Sequence, residues 1–116
     1  MPIDKWIYIP KVGCDVLFRI GTSALDNFQI IDDADPHHIW FHVEGLPSCH
    51  VIAYTDESWN RKQLPYVVKQ GAVLCKMHSK YTSSKNLPII YTTIENVEKT
   101  NVAGSVHTTN EKRVLI

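Results

Sequence analysis

No apolar run in this chain approaches the roughly 20 residues needed to cross a bilayer. Its opening, MPIDKWIYIP, has neither a basic leader nor an apolar signal core. The expectation is a soluble, intracellular protein of the cytoplasm with no membrane partner. Cysteine is sparse: Cys14, Cys49 and Cys75 are odd in number and far apart, which argues against a disulfide framework and for free thiols in a reducing compartment. Neither of the glycine patterns that cradle phosphates occurs. Repeats, low-complexity stretches and linkers are also missing. The 116 residues, 44% of them hydrophobic, suffice for one core but not for two comfortable domains. A single domain over residues 1–116 is expected.

One further absence is local. From Arg61 to Ile94 there are six bases and no acid, although the formal net charge of the chain is zero. Residues 1–60 carry nine acids against three bases, and residues 61–116 carry nine bases against three acids, so the halves stand at −6 and +6. Screening confines each charge's influence to about 8–10 Å, so a neutral total can conceal a positive field.

What is present reads first as strands. In HHIWFHVEGLPSCHV, residues 37–51, a two-residue period sets Ile39, Phe41 and Val43 on one face of an extended chain and Trp40, His42 and Glu44 on the other. Gly45 and Pro47 break the run and Val51–Tyr54 resume it, so a loop or hairpin joins two strands, with His42 and His50 flanking the turn. Trp6–Ile9, Val16–Ile20 and Phe28–Ile31 read as earlier strands of a meander. Pro65 suits a first helical turn, and YVVKQGAVLCKMHSKY follows without another proline until Pro88, which predicts a helix over about 65–80. On that helix Val67, Val68, Gly71, Leu74, Cys75 and His78 share a face, while Lys69, Lys76 and Lys80 form a stripe opposite it. A solvated helix usually interleaves Glu with Lys, and this one has no acid. TSSKN is then a loop, PIIYTTI a strand, ENVEKTNVAGS a loop, and Arg113–Ile116 a last strand. The order predicts an α+β fold: an antiparallel-rich sheet of about five or six short strands with one main helix packed on it.

His37, His38, His42, His50, Cys49, Cys75 and His78 include the residue types zinc prefers, but only Cys75-x-x-His78 approaches a close ligand pair, and it places Cys75 toward the core. Cys49 and His50 are adjacent on a strand and point to opposite faces, so a nucleophile–base pair lacks its geometry. No metal, cofactor or catalytic residue is assigned. Trp40 between Ile39 and Phe41 fits a core position better than a stacking platform.

The order of motifs is more informative than any one of them. Gly21-Thr-Ser-Ala-Leu-Asp-Asn27, Pro36-His-His-Ile-Trp-Phe-His42, Leu46-Pro-Ser-Cys-His-Val51, His78-Ser-Lys-Tyr-Thr-Ser-Ser-Lys85, Tyr91-Thr and Asn96-Val-Glu-Lys99 follow one another in the chain. Over about residues 14–116 this resembles the NFACT-R domain, the RNA-binding domain of ribosome-associated quality-control factors, which also occurs in small stand-alone proteins. The resemblance implies that Asn27, Trp40, His42 and His50 form the family signature and that Ser79, Lys80, Ser84 and Lys85 belong to a basic segment. The chain departs from the pattern at His38, where the family commonly has Asp, and at Ser48-Cys49, where it has Gly-Ser. It shows neither the N-terminal domain nor the coiled-coil arms of the longer factors, so tRNA selection and tail synthesis are not expected of it.

The leading expectation is a non-enzymatic RNA-binding domain linked to the ribosome or to translation quality control. Lys69, Lys76, Lys80 and Lys85 would meet phosphates of tRNA or rRNA, with Ser79 and Ser84 adding hydrogen bonds. The alternative is an interaction module for a ribosomal or other protein partner. The third is a small metal protein or enzyme built on His42, Cys49 and His50.

Overall fold

Branched and aromatic residues dominate the central strands, and their alternation gives each strand two apolar faces. The computed structural model describes residues 1–116. Its elements are β1 (Ile3–Ile9), β2 (Cys14–Gly21), α1 (Ala24–Asp33), β3 (Ile39–Val43), β4 (His50–Ala53), α2 (Leu64–Met77), β5 (Pro88–Thr93), a 3-10 turn (Ile94–Asn96), β6 (Val97–Lys99), β7 (Val106–Thr108) and β8 (Lys112–Leu115). Six strands form one antiparallel sheet in the order β1-β2-β4-β3-β5-β8, and β6 and β7 pair separately. The α+β reading therefore holds. No helix is long and apolar enough to cross a membrane.

Helices cover both faces of the sheet. On one side Phe18, Phe41, Val43, Val51 and Ile89 pack against Val67, Val68, Ala72, Leu74 and Cys75 of α2. Burying side chains of this size stabilises by about 1.5–3 kcal/mol each. Gly71 lets the helix sit close: a Cβ there would lie 2.4 Å from ring atoms of Phe41. On the other side Trp40 and Ile52 pack against Ile30 and Ile31 of α1.

Three sequence expectations are corrected. Phe28–Ile31 is not a strand but part of α1. Ser23 accepts a hydrogen bond from the Asp26 amide as its N-cap, and Asn27, Ile30 and Ile31 form the buried stripe at helical spacing. The loop ENVEKTNVAGS contains β6 and, before it, the 3-10 turn; β6 pairs Val97 with Thr108 and Lys99 with Val106. Finally, α2 stops at Met77 and does not run to about 80. The Ser79 hydroxyl donates to the Lys76 carbonyl at 2.7 Å and accepts from the Tyr81 amide at 3.1 Å, which turns the chain away. Lys80 thus leaves the helical stripe and stands in the following turn.

Candidate nucleic-acid interface

The four signature residues come together on the α1 side of the sheet. The Trp40 indole N–H donates to His50 Nδ1 at 3.1 Å, which leaves the proton of a neutral His50 on Nε2. His42 lies parallel to Trp40, with centroids 5.6 Å apart, and meets His50 edge-on at 5.1 Å. The His50 amide donates to Asn27 Oδ1 at 3.4 Å. Asn27 can approach because Gly21 has no side chain; a Cβ there would lie 2.3 Å from that same oxygen. Trp40 is 2% exposed. Burial, assisted by the neighbouring His42, pushes the His50 pKa down to about 3. Burial also lowers that of His42, against the pull of its hydrogen bond to the Val43 carbonyl. The cluster is a neutral buried network that joins α1 to β3 and β4.

Cys49 is not part of it. Its thiol donates to the Cys75 carbonyl at 3.5 Å, on the α2 side of the sheet. His42, Cys49 and His50 therefore do not converge on one point.

A second histidine group lies at the turn before β3, where ligand atoms of Asp35, His37 and His38 fall within 4.8 Å of one another. These side chains close the turn. His38 Nδ1 accepts from the Asp35 amide at 3.1 Å, and His37 Nε2 donates to the Thr55 carbonyl at 2.8 Å. His37 Nδ1 lies 3.6 Å from a carboxylate oxygen of Glu57.

The basic half of the chain builds a different feature. Between the first half of α2 and strands β5 and β8 runs a cleft of about 810 Å³. Ile39, Leu64, Val68, Tyr91 and Val114 supply apolar lining; Arg61, Lys69, Lys112 and Arg113 are its charged side chains, and no acidic side chain lines it. Arg113 is clamped by both oxygens of Glu44. Arg61, Lys69 and Lys112 are paired with no acid.

The predicted basic residues divide around this cleft. Lys69 lines it and is exposed. Lys76 is half-buried, and its ammonium donates to the carbonyls of Ser84 and, at 2.9 Å, of Ile116. That bridge pins the loop after α2 to the strand end that lines the cleft, so the exposed Lys80 and Lys85 are carried by a loop anchored there. Ser79 is occupied as the stop of α2, and Ser84 is half-buried beside Lys76. Arg61, Tyr91 and Lys112 are given no binding role by the sequence reading. The alternation of PIIYTTI, which sets Tyr91 opposite Phe41 and on the α2 side, was the available signal for the tyrosine.

Comparison with known proteins agrees with this architecture. The family model described as the NFACT protein RNA binding domain matches residues 7–110. The chain is 28% identical over 114 residues to a coiled-coil domain-containing protein 25 homolog of Dictyostelium discoideum, covering 93% of this chain and 54% of that protein. It also matches the C-terminal structure of the fibronectin/fibrinogen-binding protein from Streptococcus suis, with a TM-score of 0.82 and 18% identity, over 99% of this chain and 44% of that one. The chain thus spans about half the length of the curated relative it matches.

Proposed function

Because the chain belongs to the NFACT RNA-binding domain family, we propose that it is a non-enzymatic RNA-binding module whose cleft and adjoining loop meet the phosphate backbone. The carrying observation is that Arg61, Lys69 and Lys112 line an acid-free cleft without acidic partners of their own. Cations held without partners on a folded surface attract a polyanion, and phosphate contacts of this kind position the ligand without reading its sequence. Lys80 and Lys85 extend the positive path along the anchored loop. Lys76, Ser79 and Ser84 support that loop. A cytoplasmic, translational setting, with tRNA or rRNA as ligand and the ribosome as the place of action, rests on the resemblance to ribosome-associated quality-control factors.

Five phosphate contacts would make log affinity for single-stranded RNA fall with log salt at a slope near −3.5, about 0.7 per contact. Replacing Lys69, Lys80 and Lys85 together by Ala should flatten the slope by about 2. The loss should be equal across RNA sequences and leave the melting temperature unchanged. A folded triple variant with unchanged affinity and slope would reduce the lysines to solvated surface.

One observation favours a second reading. On edge strand β1, Trp6 and Tyr8 share a face and are 66% and 60% exposed, which suits a protein partner added along that edge. The Streptococcus relative is by name a fibronectin/fibrinogen-binding protein. Loss of a partner, but not of RNA, on changing Trp6 and Tyr8 to Ser would support it.

A further inference from the structure

We propose, resting on the RNA reading above, that the cleft takes an unpaired base of single-stranded RNA against Tyr91, with the flanking phosphates on Arg61, Lys69 and Lys112. Phosphates alone need only a charged rim. This cleft also has apolar lining, and its whole volume of about 810 Å³ falls within the roughly 300–1,000 Å³ of sites that take small organic ligands. Tyr91 is half-buried in that wall, and Phe41 backs its ring at 6.0 Å, tilted 31°. A ring held from behind keeps its orientation and offers a stacking face that any base can use. Asn110 stands at the same wall, and its side-chain amide has no partner within the chain. That amide can both donate to and accept from a base edge. The combination selects against duplex RNA, whose bases are stacked and whose deep groove side chains cannot read. It selects against an apolar peptide through its four cationic and no acidic lining residues.

The test compares three ligands of equal length, about 12 nucleotides, by fluorescence anisotropy with the full chain: a single strand, the same strand with its central bases removed to leave abasic sugars, and a duplex. Removing bases keeps every phosphate. The abasic strand and the duplex should each bind roughly tenfold more weakly than the intact strand, while the abasic strand keeps the salt slope. Tyr91→Phe should preserve the difference, and Tyr91→Ala should abolish it with the fold verified by its melting curve. The ligand comparison needs no variant, so an unfolded Tyr91→Ala does not rescue the idea. Equal affinity for intact and abasic strands would overturn base insertion and leave the phosphate reading standing. No binding by any of the three would overturn both, and a polyglutamate peptide binding as tightly as the RNA would assign the cleft to an acidic protein segment.

Discussion

Lowering the pH from 7 to 5 should cost the folded state about 2 kcal/mol through His50 alone. The ordinary histidine pKa is 6.5, and burial holds that of folded His50 near 3. Between these values the unfolded chain binds a proton that the folded chain does not, so stability falls as the pH drops, by up to about 1.4 kcal/mol per pH unit. His42 and His38 are also lowered, chiefly by burial, and act in the same direction. A His50→Asn variant isolates the central term, because the Asn oxygen can accept from the Trp40 indole in place of Nδ1 but takes up no proton. Urea unfolding at pH 7, 6 and 5, followed by tryptophan fluorescence, gives the comparison. The variant should start less stable at pH 7 and then lose about 2 kcal/mol less than the wild type by pH 5. Equal losses in the two proteins would refute the claim that His50 is buried and neutral.

Two further outcomes follow from packing. Gly71→Ala drives a methyl group toward the fully buried ring of Phe41 and should destabilise by about 1–3 kcal/mol in the same urea assay, with RNA affinity of the remaining folded protein unchanged. Lys76→Met keeps the apolar stem but removes the ammonium that bridges Ser84 and Ile116; it should lower stability by about 1 kcal/mol and weaken RNA binding by loosening the loop, whereas Lys69→Ala should weaken RNA binding with no change in melting temperature.

The alternation over 39–43, the apolar run 51–54 and the branched and aromatic content of PIIYTTI mark β3, β4 and β5, because the sheet centre packs apolar side chains against both α2 and α1. The same apolar density hid α1: Phe28, Ile30 and Ile31 look strand-like when taken alone. The helix is specified instead by Ser23 with Asp26 three residues on, a capping pattern whose effect lies before the apolar run. The three-residue strands β6 and β7 carry too few side chains for any period to register. The signature histidines were legible as neighbours of one turn, but their neutrality comes from the depth of the Trp40 network, which spacing does not report. A constant helical angle carries the lysine stripe on to Lys80, past Met77, where α2 stops and the Ser79 hydroxyl turns back to the Lys76 carbonyl. The cleft is assembled from α2, β5 and β8, its lining reaching from Arg61 at one end to Ile116 at the other, and no local window contains it.

The central claim concerns where RNA lies, and an amide NMR footprint tests it most directly. Titrating single-stranded RNA into isotope-labelled protein should shift the amides of Arg61–Lys69, Lys80–Lys85, Tyr91 and Lys112–Val114. Those of α1 and of Trp6 and Tyr8 on β1 should stay in place, and raising the salt should reverse the shifts. Shifts confined to β1 or to the face carrying α1, with the cleft residues unmoved, would contradict the account.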